Sequence, residues 1–306
     1  MHDRPSAVAA LVARFRRQRP LRGGSLIVTV FGDAIAPRGG AITLGSLIAL
    51  MAAFGLTERL VRTSVARLAA DDWLATRRAG RLSEYRLSSV GRQRFTEATR
   101  RIYAGPATDW SGRWTWVLLP PGLSTARRRQ VRETLRWEGF GELGAGLLAH
   151  PTLTPAETRE QLAIARLVDG PIVLESRAAE PAADRRLVEE GWDLRDLGVR
   201  YARFIQHFEP VLTAVRDPLA PADAFLVRTL LIHAYRRIHL RDPLLPPSLL
   251  PVAWPGTAAY DTCRTVYERV FRAAERHLSE VAARLEGALP APEAALYRRF
   301  AGLPHG

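Results

Sequence analysis

The chain has 306 residues, 47% of them hydrophobic, with a mean hydropathy of −0.08, which fits about two to three globular domains and excludes a disordered or fibrous protein. No apolar run approaches the roughly 18 residues that cross a bilayer. The one cysteine, Cys263, excludes an internal disulfide framework and leaves too few thiols for structural zinc. The net charge of +13 comes from 44 arginines, no lysine and 31 acids, and residues 1–104 hold 18 of those arginines against 7 acids; a positive field so localised attracts a polyanion.

In chain order, residues 1–22 read as a basic N-terminal arm. Asp3 and the lack of a long apolar core argue against a secretory leader, so the expected compartment is the cytoplasm. "SLIVTVFGDAIA" (25–36) is apolar enough for a helix, which "PRGG" (37–40) breaks. "AIT" is short and β-prone. "LGSLIALMAAFG" then shows helical spacing through Leu47, Ile48, Met51 and Phe54, with Gly55 as a stop. Thr57 is a natural N-cap and Glu58 puts an acid in the next helix's first turn.

That next helix is expected over 58–70. Leu60, Val61, Val65, Leu68 and Ala69 fall on one side, and Arg59, Arg62, Thr63, Ala66 and Arg67 on the other. Two helices joined by a tight glycine-containing turn have the layout of a helix-turn-helix, whose second helix enters the major groove of DNA. The β-prone arms 73–77 and 83–87, joined around Ala79-Gly80, form a hairpin, or wing, that carries Arg77, Arg78 and Arg81. Only Glu58 accompanies the helix arginines, so their charge is expected to stay uncompensated. The helix would read base edges while the hairpin clamps phosphates.

Residues 105–112 read as a linker. "RWTWVLLPP" (113–121) is a strand with alternating Trp114, Trp116 and Leu118; a helix with Val131 and Leu135 inward follows, then one or two strands, a helix over 155–170 and a last strand over 171–177. The order β-α-β-β-α-β outlines a ferredoxin-like fold over 113–180. Beyond it, residues 181–306 read as a helical domain with helices near 184–207, 222–239, 257–286 and 292–300. The proline-rich 241–256 is expected as an extended, packed loop. The whole is an α+β, multidomain chain, with the helix-turn-helix and hairpin in 23–104.

The stretch Ser25 to Leu74 resembles the N-terminal domain of the PaaX family of bacterial repressors. Leu230 to Gly256 ("LLIHAYRRIHLRDPLLPPSLLPVAWPG") resembles that family's C-terminal domain, and "WTWVLLP" sits where the family has a Cas2-like middle domain. The resemblance implies a winged-helix repressor of phenylacetic acid catabolism, released from its operator by phenylacetyl-CoA, and a homodimer on palindromic double-stranded DNA. It places Arg59, Arg62, Thr63, Ser64 and Arg67 on the recognition helix and Arg81, Tyr85 and Arg86 on the wing. Glu84 departs from the family pattern, and an acid there needs a partner such as Arg81 or Arg86.

A CoA thioester needs cations for its phosphates and an apolar slot for its acyl group. Arg228, His233, Arg236, His239 and Arg241, joined to Trp254, offer both. The competing reading has Arg236 and Arg241 bonding carbonyls of the proline-rich loop and Trp254 filling the core. Two enzyme alternatives are weaker. A Cas2-like nuclease needs an acid at the end of its first strand to hold a divalent cation, and here that strand ends "VLLPPG". An acyl-CoA enzyme would need a nucleophile elbow, zinc motif or phosphate loop beside its histidines, and none accompanies them. No cofactor, metal ligand or catalytic residue is expected.

Overall fold

An amphipathic helix, α1 (Ser6–Arg16), opens the computed structural model, which describes residues 6–18, 23–105, 110–144 and 146–303. Val8, Val12 and Phe15 recur at helical spacing and are buried, while Arg14, Arg16 and Arg17 are exposed. Where the composition suggests an arm, residues 6–16 are therefore a packed helix; the rest of the expected arm, 1–5 and 19–22, lies outside the described residues.

α2 (Gly23–Val30) continues as one π-helical turn, Phe31–Ile35, and a 3-10 turn, Ala36–Arg38. Gly39 and Gly40, at φ +84° and +71°, then end it. β1 (Ala41–Thr43), α3 (Leu44–Ala52), α4 (Glu58–Ala70), β2 (Leu74–Ala79), β3 (Leu82–Leu87) and α5 (Ser89–Tyr103) follow. Side chains of Thr43, Thr57 and Ser88 accept from the backbone N–H of Ser46, Leu60 and Gly91, so α3, α4 and α5 all begin on side-chain caps. The three strands form an antiparallel sheet in the order β1-β3-β2.

Next come β4 (Trp114–Leu118), α6 (Thr125–Trp137), β5 (Gly141–Glu142), β6 (Leu147–His150), α7 (Pro155–Ile164) and β7 (Ile172–Ser176). The sheet order is β5-β6-β4-β7, antiparallel throughout. Val117 and Leu119 pack with Val131, Leu135, Leu148 and Leu162 in one cluster, and Trp114 and Ala149 with Val188, Leu245 and Leu249 in another. The remaining elements are α8 (Pro181–Gly191), α9 (Leu194–Ala214), α10 (Pro221–His239), α11 (Pro255–Val281), β8 (Ala283–Arg284), β9 (Gly287–Ala288) and α12 (Ala294–Tyr297). Several boundaries differ from expectation, and the helix expected over 155–170 ends at Ile164. The helix expected over 184–207 is two helices, and the one expected to reach 286 ends at Val281, giving way to the small β8–β9 hairpin.

The chain divides into two compact units, one of residues 1–105, 202–240 and 258–306, the other of 106–201 and 241–257. By this division the N-terminal third shares one unit with residues 202–240 and 258–306.

An ionic cluster holds the centre of the first unit. Asp33, on the π-helical turn and 3% exposed, accepts hydrogen bonds from Arg228 Nε (2.7 Å), Arg299 Nη1 (3.0 Å), Tyr103 Oη (2.6 Å) and Tyr267 Oη (2.9 Å). A π turn offsets the backbone ladder, and the carbonyl of Asp33 is used by Arg228 Nη2 (2.9 Å) and Arg299 Nη1 (2.8 Å). Arg228 also pairs with Glu275, which ion-pairs with Arg38 at 3.3 Å. Burial alone would raise the Asp33 carboxyl, but the two guanidiniums and two phenols outweigh it and hold it below its ordinary range.

Two buried histidines in the same unit stay neutral. Burial first, then Arg236 and Arg237, push His233 down to about 3. Burial pushes His239 down to about 4, where its ring stacks on Tyr235 and its Nε2 donates to the Arg101 carbonyl at 3.1 Å. Folded values below the unfolded one mean that the unfolded chain takes up protons first. Stability should therefore fall as pH drops from about 6.5 toward about 4, each histidine adding a slope of at most about 1.4 kcal/mol per pH unit. Urea midpoints for the wild type and His239→Gln at about pH 7 and pH 5 check this: the variant should lose less than the wild type, and equal losses would contradict it.

Candidate nucleic-acid interface

Gly55, at φ +84°, makes the turn between α3 and α4, with Phe54 and Leu56 buried on either side of it. In α4, Val61, Ser64 and Val65 face the core, and Arg59, Arg62, Thr63, Ala66 and Arg67 are exposed. The expected outward stripe is present, with two qualifications. Ser64 is only 9% exposed, so it belongs to the core side. Arg62 is compensated: its Nη2 lies 2.6 Å and its Nε 2.8 Å from Glu58 Oε1, one helical turn back. Both partners are more than half exposed, so the pair is weak and a phosphate or base can compete for the guanidinium. Thr63 donates its hydroxyl to the Arg59 carbonyl at 2.9 Å.

The β2–β3 hairpin turns at Gly80, at φ +57°, within the expected turn. Register sets Arg77 opposite Glu84, Arg78 opposite Ser83 and Thr76 opposite Tyr85. Arg77, Arg78, Arg81 and Arg86 are exposed and Tyr85 is half-buried. Glu84 is 1% exposed and turned inward, where it accepts from Arg86 Nη2 (3.2 Å) and from the backbone N–H of Leu285 (2.8 Å). The acid that looks out of place beside DNA is therefore a buried brace. Arg77 instead pairs with Glu286 at 2.7 Å, whose carboxyl that bond holds below its usual range. Sequence reasoning misses this contribution of the β8–β9 hairpin. It also passes over α5, where Arg92 and Arg94 are exposed and Arg94 lies over Trp73 at 4.9 Å.

The residues considered for an effector separate between the two units. In the first, Arg228 is fully buried in the Asp33 cluster, and Arg236 donates to Thr29 Oγ1 (2.8 Å) and the Ser25 carbonyl (2.7 Å). His233 lies 3.0 Å from Thr29 Oγ1, and His239 is the stacked ring described above. In the second, Arg241 is exposed and Trp254 packs edge-on against Tyr201 at 6.0 Å. Among the described residues, no group of three or more histidine, cysteine or acidic side chains is placed to hold a metal ion, and no helix is long and apolar enough to cross a membrane.

Residues 22–91 match the family described as PaaX-like protein, and residues 192–280 match the PaaX-like protein C-terminal domain. The chain is 40% identical over 290 residues to the transcriptional repressor PaaX of Escherichia coli, covering 93% of this chain and 92% of that one. An uncharacterized protein of Mycobacterium tuberculosis is similar in structure, with a TM-score of 0.47 and 23% identity over 74% of this chain and 89% of that one.

Proposed function

This chain belongs to the PaaX family, and from that premise we propose that it represses genes of phenylacetate catabolism by binding double-stranded operator DNA through a winged helix-turn-helix. The observation that carries the reading is the exposed stripe Arg59, Arg62, Thr63 and Arg67 on α4, in the same sheet-and-helix unit as a hairpin bearing Arg77, Arg78 and Arg81. Arginine on a helix in the major groove can take guanine O6 and N7 in two parallel bonds, and arginines on a hairpin suit phosphates. A regulator, and not an enzyme, is what this arrangement serves.

In the other unit, the β4-α6-β5-β6-α7-β7 order with its β5-β6-β4-β7 sheet supports a ferredoxin-like, Cas2-like reading. One winged helix covers few base pairs, so the protein acts as a homodimer on a palindromic site. The effector is an aryl-CoA thioester such as phenylacetyl-CoA, which lowers operator affinity. Because Arg228 and Arg236 are already bonded to protein groups, its phosphates must find other cations.

Anisotropy titration of the duplex upstream of the protein's own gene tests this. Two chains should bind per duplex, and phenylacetyl-CoA should release them. Arg78→Ala or Arg81→Ala should reduce the slope of log affinity against log salt by about 0.9 for each phosphate that is no longer neutralised. Binding that is indifferent to salt and to sequence would refute the operator reading. Binding that persists at saturating phenylacetyl-CoA would refute only the effector.

A further inference from the structure

We propose that the C-terminal end of α1 and the facing stretch of α9 cradle the sugar-phosphate backbone of DNA beside the helix-turn-helix, with Arg14 and Arg17 as the phosphate ligands. This rests on the reading of the chain as an operator-binding repressor and extends its footprint beyond α4 and the wing.

From Ser6 to Gln18 the chain has no acid, and Arg14, Arg16 and Arg17 crowd at the end of α1, all exposed. The backbone N–H of Arg17 still donates to the Ala13 carbonyl at 3.1 Å, so it continues the helical turn. One cation would answer the partial charge of about −0.5 at a helix C-terminus; three leave that end strongly positive. The same end is fixed to the turn between α3 and α4. Arg16 Nη2 donates to the Ala53 carbonyl at 3.0 Å, and Phe15 packs edge-on against Phe54 at 6.3 Å. α1 is thereby tied to the element that presents the recognition helix.

Arg14 and Arg17, three residues apart, share the side of α1 that faces α9. Between the two helices runs an open groove of about 530 Å³. Ala10, Leu11 and Pro210 give it apolar lining, Gln206 and His207 add polar groups, and no acid is among the residues that line it. The positive field registers on His207. Burial first, and then the Arg14 and Arg203 guanidiniums, push its imidazole below the ordinary range. Arg203 stands one helical turn before His207 on α9, while Glu209, two residues after it, projects to another side of the helix.

Guanidinium and carboxamide side chains are common donors to phosphate and sugar oxygens, and small apolar residues between them accommodate deoxyribose. A pocket for a small molecule buries most of its ligand, whereas this open trough suits a strand that runs through it. Such contacts carry no sequence information; they add affinity and fix the register of α4 on the duplex.

The test is anisotropy titration of operator and scrambled duplexes across a salt series, using the full chain. Arg14→Ala/Arg17→Ala should weaken both duplexes alike and keep their ratio. It should also lower the slope of log affinity against log salt by about 0.9 for each phosphate no longer neutralised. Arg14→Lys/Arg17→Lys should restore the slope. A wild-type slope in the alanine pair overturns the proposal, and so does a lysine pair that behaves like the alanine pair. A changed operator-to-scrambled ratio would overturn it by giving these arginines a base-reading role. An unchanged slope with impaired release by phenylacetyl-CoA would overturn it by making the groove a ligand site. If the wild type itself binds DNA without salt dependence, the repressor reading falls and this proposal with it.

Discussion

Asp33→Ala should cost the first unit roughly 3–5 kcal/mol, the range seen when one partner of a buried ion pair is removed. The substitution leaves Arg228 and Arg299, 0% and 3% exposed at the side chain, without their shared carboxylate. Tyr103 and Tyr267 lose their acceptor at the same stroke. Asp33→Asn keeps the shape but offers two N–H donors toward guanidiniums that are themselves only donors, so it should be nearly as damaging. Because the chain has two units and need not unfold in one step, the measurement is hydrogen exchange of α2 and α11 amides against those of β4. Loss of protection confined to the first unit is expected; a change worth less than about 1 kcal/mol would mean that the cluster contributes little.

The second large effect is on DNA. Arg59→Ala and Arg67→Ala should each weaken specific binding by roughly 1–3 kcal/mol if each contacts a base, and together abolish discrimination between operator and unrelated DNA. Arg62 shares Glu58, the one acid of α4, so Arg62→Ala should cost less than either. A double variant that still prefers operator over scrambled duplex by the wild-type ratio would remove α4 from the recognition role.

How much of this is legible in sequence depends on the distance over which each signal acts. α4 is plain because Thr57, Glu58 and a 3.6-residue stripe are all local, and the structure has it at the expected residues. The hairpin is legible for the same reason, through alternation around Gly80. α1 is misread as an arm because its arginines outweigh the Val8, Val12 and Phe15 stripe that is there to be seen. The π-helical turn is invisible: "FGDAIAPRGG" looks like a broken helix, and the partners that justify burying Asp33 lie 195 and 266 residues away. The β8–β9 hairpin has two residues per strand, too few for any period to register, so the helical pattern runs over it. The role of Glu84 likewise waits on a backbone N–H 201 residues downstream.

Those separations also set an order of events during synthesis. The ribosome adds about 5–20 residues per second, so Arg299, 266 residues after Asp33, emerges roughly 10–50 s later. Through that interval the nascent N-terminal third holds a carboxylate that its core can accept only with Arg228 and Arg299 in place. The helix and hairpin that carry the arginine stripe therefore cannot settle into their final unit until translation is almost complete, and a chain released early lacks the counter-charges that its own first helices require.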